Sequence, residues 1–282
     1  MPEILQIGIS TTFNYSIPFE SMVGMVREAG FTALSLGGGN VAHSGYDRPE
    51  RRESIRAVLN RYGMILDSIH APFGKDKDIS SPDSQIRLRG CNEMRDALDA
   101  CEDLGAPVAI VHLNSRFPAS EYEKRQSAVR RSLEWLTTYA ERLGLELAVE
   151  NLPGASGMRL FNDILRSYIQ LKVCYDSSHA YLSRRYLEAG PFGLLDEYGH
   201  RVVAVHLSDG SRDVDDHLLL YRGKIDWEDF AMRLSRSGYR GTLLLEVEMK
   251  TSRYADPEVF LEKAYEGAVR LSESIRERGE SS

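Results

Sequence analysis

The chain has 282 residues, 42% hydrophobic and 27% charged, with 35 basic and 42 acidic side chains giving a net charge of −7. That length suits one large α/β barrel or two smaller domains, and the composition is that of an ordinary soluble globular protein with a sizeable core. The acidic balance argues against a nucleic-acid partner, no apolar run approaches the ~20 residues that span a bilayer, and the start lacks the basic-then-apolar pattern of a signal peptide.

In chain order, residues 4–10 predict a first strand and residues 18–29 a helix closed by Gly30. A second strand, residues 31–36, runs into Gly37, Gly38, Gly39 and Asn40. That glycine run reads as a mobile βα loop; a phosphate cradle is the alternative, although no G-x-G-x-x-G spacing follows. Residues 51–62 form a helix of alternating charge, stopped at Gly63. The third strand, residues 64–70, ends in His70 and is followed by Ala71, Pro72 and Phe73. Ser81, Pro82 and Asp83 open a long helix that reaches Leu104 and ends at Gly105.

The fourth strand, residues 108–113, carries His112, and Ser120 with Glu123 has capping-box spacing for a helix running to Leu143. The fifth strand, residues 145–151, carries Glu150, and a short helix over residues 160–169 follows. Residues 171–180 begin as a β-branched and aromatic run and stop abruptly in Asp176, Ser177, Ser178 and His179. A carboxylate with an imidazole three residues on suits a buried strand that ends at a reactive mouth. Residues 180–199 contain a further helix, and the seventh strand, residues 201–207, carries His206. The polar loop after it holds Asp209, Asp213, Asp215, Asp216 and His217. Solvated acid is the plain reading of that loop, while Asp215 and His217 have D-x-H ligand spacing. A helix over residues 226–237, an eighth strand over 242–247 with Glu246, a closing helix over 257–276 and a frayed tail over 277–282 complete the chain.

Eight strand-then-helix units joined by short connections predict parallel strands and a (β/α)8 barrel, in one domain over residues 1–282. An open doubly wound sheet is the alternative, and it would place its site at one switch point. Cys91, Cys101 and Cys174 lack C-x-x-C spacing, which fits reduced thiols in a cytoplasmic protein. A homo-oligomer is compatible with all of this.

His70, His112, Glu150, Asp176, His206 and Glu246 fall at or beside the carboxyl ends of strands three to eight, which converge on one face of a barrel. Each has a bland explanation: a lone strand histidine is usually a satisfied core group, and Glu150 could pair with an arginine. Six at the same end of six consecutive strands point instead to a divalent metal. Carboxylates gathered among apolar neighbours need a cation or a retained proton.

The motifs IHAPF, IVH, AVEN, YDSSHA, VHLSDG, DDH, GKIDW and LLLEVE occur in this order across nearly the whole chain. In this the chain resembles the xylose-isomerase-like barrel superfamily, which includes sugar phosphate isomerases and epimerases, ketose 3-epimerases and endonuclease IV. The resemblance to the ketose 3-epimerases implies that Glu150, Asp176, His206 and Glu246 bind one metal. It implies that Glu150 and Glu246 are also the acid/base pair, and that His179 and Arg212 hold substrate oxygens. The resemblance to endonuclease IV implies three zinc ions: one at His70, His112 and Glu150, one at the same four ligands, and one at His179, Asp215 and His217. The chain departs from the pattern after the D-x-H pair, where Leu218, Leu219, Leu220, Tyr221 and Arg222 replace a glycine-rich turn.

The expectation is therefore a metal-dependent isomerase or epimerase of a sugar or sugar phosphate, using one to three Mn2+ or Zn2+ ions per chain. A zinc-dependent nuclease acting at abasic DNA is the main alternative, and a non-enzymatic sugar-binding barrel a third. No basic, aromatic-laced loops suited to gripping a kinked duplex follow the early strands.

Overall fold

The computed structural model describes residues 5–279, apart from residues 115, 188, 212 and 213. Eight parallel strands run along the described chain: β1 (Ile7–Ser10), β2 (Ala33–Leu36), β3 (Ile65–His70), β4 (Val108–His112), β5 (Glu146–Glu150), β6 (Lys172–Asp176), β7 (Val202–His206) and β8 (Leu243–Leu245). They are separated or followed by helices α1 (Phe19–Glu28), α2 (Pro49–Tyr62), α3 (Ser84–Leu104), α4 (Tyr122–Leu143), α5 (Ala155–Ser167), α6 (Ser177–Leu182), α7 (Gly193–Tyr198), α8 (Trp227–Ser237) and α9 (Pro257–Gly279).

The strands pair in the order β7-β6-β5-β4-β3-β2-β1-β8. The two ends of the sheet meet where the Leu207 amide donates to the Leu244 carbonyl (2.9 Å) and the Glu246 amide to the Leu207 carbonyl (3.0 Å). The sheet is thus a nearly closed (β/α)8 barrel in a single domain, and that closure rules out the open doubly wound sheet. Strands buried on both faces read as near-continuous apolar runs, as β1 and β2 do.

Two apolar clusters result. The larger packs helices onto the outside of the strands and buries Phe31, Phe161, Phe230 and Phe260, each contributing about 1.5–3 kcal/mol. The smaller, Val108, Ile110, Ala148, Cys174 and Ala204, fills the barrel itself. The three cysteines are buried free thiols, and no helix among the described residues is long and apolar enough to cross a membrane.

Several local expectations need correction. Gly37 and Gly38 are buried rather than a mobile loop, because a Cβ at Gly38 would sit 2.2 Å from the Ala71 carbonyl and 2.9 Å from His70 Nδ1. The close approach that only glycine permits lets β2 run on against the end of β3. The capping box does not form. Pro118 opens a 3-10 turn, the Glu121 amide donates to the Pro118 carbonyl (2.9 Å), and α4 starts at Tyr122 with no side-chain cap.

By contrast, Asp83 caps α3 as expected, accepting from the Gln85 (2.8 Å) and Ile86 (3.2 Å) amides. Helix α5 begins five residues early, because Gly154 (φ 105°) turns the chain into it directly after β5. The segment after β6 holds two short helices, α6 and α7, rather than one. Residues 277–279 complete α9 rather than fraying, and residues 280–282 lie outside the described residues.

Candidate metal centre

His70, His112, Glu150, Asp176 and His206 are each the last residue of their strands, and Glu246 follows β8 by one. Strand register sets His112 beside Glu150 and Asp176 beside His206. The ligand atoms of Glu150, Asp176, His206 and Glu246 all lie within 4.8 Å of one another, as do those of His70, His112 and Glu150 and those of His179, Asp215 and His217. Glu150, Cys174 and His206 make a further such group. The barrel mouth thus gathers nine of the ten residues singled out from the sequence; Arg212 lies outside the described residues.

Glu150 is the hub. Its Oε2 lies 3.3 Å from His70 Nε2, 3.3 Å from His112 Nε2 and 3.1 Å from His206 Nδ1, and its Oε1 lies 3.0 Å from His179 Nδ1. Glu246 Oε2 is also 3.1 Å from His206 Nδ1. Close as they are, Glu150 Oε1, Asp176 Oδ2 and both ring nitrogens of His206 are buried without a hydrogen-bond partner. The distances suit ion pairs but the directions do not suit hydrogen bonds, as expected of ligand atoms aimed at a shared point rather than at each other.

The histidine tautomers lead to the same place. His70 Nδ1–H donates to the Ala71 carbonyl (2.7 Å), His179 Nδ1–H to the Asn151 carbonyl (3.1 Å) and His217 Nδ1–H to the Glu246 carbonyl (2.8 Å). A neutral imidazole has one N–H, so each Nε2 then presents a lone pair. Yet those Nε2 atoms face carboxylate oxygens: Glu150 for His70 (3.3 Å), Asp215 for His179 (3.0 Å) and for His217 (3.2 Å). Lone pair against carboxylate is repulsive unless a second proton or a cation lies between. Orienting one ring nitrogen with a backbone carbonyl while freeing the other is how proteins prepare metal-binding histidines. The donor set fits a divalent cation.

Without a cation the charges adjust among themselves. Burial alone would lift the Glu150 carboxyl, but the charges of His112 and His206 hold it well below the usual range. Burial, opposed by the charge of His179 and helped by that of Glu150, lifts Asp176 to about 6. Burial opposes ionisation of Glu246 as well, yet His206 brings it down to about 2. For His217 burial favours the neutral ring, but the bond to Asp215 and the charges of Glu246, Asp215 and Asp176 outweigh it and raise the pKa to about 10.

Neighbouring groups fix these side chains. Asp176 commits one oxygen to the start of α6, where Oδ1 accepts from the His179 amide (2.7 Å) and Ser178 Oγ (3.0 Å), leaving Oδ2 for the mouth. Asn151 ties β5 to β6, accepting from the Asp176 amide (2.8 Å) and donating to its carbonyl (2.9 Å). Ser177 ties β6 to β7 through the Ser208 carbonyl (2.7 Å) and amide (3.0 Å).

The loop after β7 is only in part the solvated acidic loop expected, since Asp215 is exposed and Asp216 half-buried. Asp209 is fully buried and accepts from the Gly210 amide (2.8 Å), the Ile225 amide (3.0 Å) and Trp227 Nε1 (2.9 Å). Leu219 and Leu220 of the departing insert are core residues, and Leu218 bridges back to Asp209. Backbone strain flanks the insert: His217 (φ 39°) and Tyr221 (φ 62°) both adopt left-handed conformations, which cost non-glycine residues stability and cluster at functional sites. Asp215 reaches the mouth as a ligand-type residue, and Asp213 lies outside the described residues.

His70, His112, Glu150, His179, Asp215, His217 and Glu246 line a cavity of about 190 Å³. Its wall includes four residues the sequence reading passed over: Thr12, Tyr15, Phe73 and Glu248. Glu248 carried a signal, because alternation in a strand puts it on the same face as Glu246. Phe73 packs against the rings of His112 (4.4 Å) and His70 (5.3 Å). Thr12 and Tyr15 come from the loop after β1 and carried none.

Parallel strands whose carboxyl ends carry a cluster of ligands define an α/β barrel with its chemistry at the C-terminal mouth. The chain belongs to the xylose isomerase-like TIM barrel family, whose model matches residues 23–273. Among curated relatives, the uncharacterized protein y4fM of Sinorhizobium fredii is 26% identical over 280 residues, covering 89% of this chain and 88% of that one. Endonuclease 4 of Thermus thermophilus is 29% identical over 192 residues, covering 63% of this chain and 67% of that one. Among solved structures, a D-tagatose 3-epimerase-like protein has a TM-score of 0.79 at 20% identity, over 98% of this chain and 99% of that chain. That last likeness is one of fold.

Proposed function

We propose that the protein is a metal-dependent isomerase or epimerase of a sugar or sugar phosphate, acting through proton transfer at a carbon next to a carbonyl. One observation carries the reading: Glu150 and Glu246, three strands apart around the barrel, face one cavity and converge on the same nitrogen of His206 at 3.1 Å each. Glu150, Asp176, His206 and Glu246 would hold one divalent ion, Mn2+ or Zn2+. When bound, such an ion polarises a carbonyl and hydroxyl pair and stabilises negative charge developing on oxygen.

The rest falls to the chain. One glutamate takes the proton from the carbon next to the carbonyl, and the C–H electron pair becomes the double bond of an enediolate. The other glutamate returns a proton from the opposite face, which inverts that centre. His179, which lines the cavity, orients a substrate oxygen, and Arg212 is assigned the same task. Phe73 and Tyr15 narrow the mouth and limit water there. The fold likeness to a D-tagatose 3-epimerase-like protein supports this reading.

A second reading has its own support. The groups His70–His112–Glu150 and His179–Asp215–His217 are assembled as well, one to three ions are therefore compatible with the donor set, and endonuclease 4 is among the relatives. Metal-activated hydrolysis of abasic DNA would use all of them. The net charge of −7 weighs against it, because duplex binding rests on phosphate neutralisation.

The test is exchange of a carbon-bound proton of ketoses and ketose phosphates with deuterated water, run beside incision of an abasic-site duplex at low salt with zinc. We expect exchange and no incision. Glu150→Gln and Glu246→Gln should each lower exchange by at least about a hundred-fold, with metal content measured in parallel. Retention within a few-fold would remove that residue as the proton carrier. Incision that disappears in His217→Ala would make the nuclease reading the better one.

A further inference from the structure

A second cavity, of about 270 Å³, opens between the loops that follow β3 and β4. Phe73 and His112 line both this cavity and the one at Glu150, so the two are neighbours that share those rings as a common wall. Its floor is apolar, with Met94, Val111 and Leu152. Its outer wall carries Lys75, Lys77 and Arg116.

The charge of that wall is not cancelled. Lys75 and the Arg116 guanidinium have no ion-pair partner among the described residues, and Lys77 Nζ is 4.0 Å from Glu93 Oε1, a loose pair. The one carboxylate in the wall, Asp78, is already engaged by Arg125 Nη1 (2.7 Å) and Asn114 Nδ2 (2.9 Å). Asn114 also braces the Arg116 backbone, its Oδ1 accepting from the Arg116 amide (3.0 Å). The cavity on the other side of the mouth, lined by Tyr15, Glu248, Lys250 and Arg253, differs. There Lys250 is neutralised by Glu248 at 2.8 Å, which leaves Arg253 as the single cation without a carboxylate partner among the described residues of that wall.

We propose that the cavity between the β3 and β4 loops seats an anionic group, phosphate or carboxylate, on the end of the substrate remote from Glu150 and Glu246. This rests on the barrel mouth being the active site. It narrows the substrate class to sugar phosphates or sugar acids, with carbon chain over Met94 and Leu152 and the anion between Lys75 and Arg116. Charge-assisted hydrogen bonds to two unpaired cations supply the recognition.

The experiment uses the full chain loaded with Mn2+, in parent form and as Lys75→Gln, Arg116→Gln and the double variant. Calorimetry measures inorganic phosphate and acetate binding at low ionic strength, and the affinity for Mn2+ separately. Each single variant should weaken the preferred anion by about ten-fold and the double variant by more, with Mn2+ affinity unchanged in all. Tighter phosphate assigns a phosphate ester and tighter acetate a carboxylate. Equal anion affinity in parent and double variant, or no binding of either anion by the parent, overturns the proposal. Proton exchange gives an independent arm: KM for a ketose phosphate or keto acid should rise in the double variant while that for the uncharged ketose holds. A protein that exchanges no ketose proton, yet loses anion binding in the double variant, keeps this site and loses the isomerase reading.

Discussion

His70, His179 and His217 each spend Nδ1–H on a backbone carbonyl and turn Nε2 toward a carboxylate. In the metal-free protein the contacts of His217 call for a second proton; a bound ion would replace it. The pH behaviour follows. A group whose pKa rises on folding stabilises the fold fully below its unfolded value and loses that contribution as pH climbs through the folded one. For His217 this window runs from 6.5 up to about 10. Metal-free protein should therefore melt at a lower temperature at pH 9 than at pH 6.5, with a smaller loss in His217→Gln, and metal binding at pH 7 should release protons to the buffer. A metal-free melting temperature that is flat over this range, together with proton-silent metal binding, would contradict the tautomer argument. The six strand-end candidates were readable in the sequence because each apolar run stops on a residue type that has no business in a core. Thr12, Tyr15 and Phe73 were not, since their place in the wall depends on how loops from distant strands meet.

At the scale of elements, every strand was legible, to within one to three residues at its ends, from β-branched and apolar runs buried on both faces. Helix starts were less so. The α4 start was set by a 3-10 turn at Pro118 and that of α5 by Gly154, neither of which local capping patterns reveal. The loop after β7 shows a deeper limit. Apart from the D-x-H pair, the acidic residues there looked solvated, whereas Asp209 is the buried clasp that joins the end of β7 to the start of α8. Asp209→Ala should cost about 2–4 kcal/mol of stability, since three buried donors lose their shared acceptor. It should also weaken metal held through Asp215 and His217 more than metal held through Glu150 and Glu246. Urea unfolding within about 0.5 kcal/mol of the parent would show that the clasp is dispensable.

The whole molecule is a barrel whose carboxyl mouth concentrates Glu150, Asp176, Asp215 and Glu246 beside five histidines. Gathering Glu150, Asp176 and Glu246 largely out of solvent destabilises a fold unless a cation is part of it. Barrel closure and the family were both readable from the motif order, because a (β/α)8 barrel repeats one local unit. The chemistry could be proposed only as a class, because a substrate is chosen by loops and cavities rather than by strand ends. The central claim is that this mouth is built around a metal ion. Elemental analysis of the purified protein after gentle dialysis, with melting temperatures recorded before and after adding manganese, zinc or cobalt, tests it most directly. The account predicts at least about one divalent ion per chain, and a melting temperature that falls on chelation and recovers on metal return. A protein that carries no metal and whose melting temperature is unmoved by any of the three ions would contradict it.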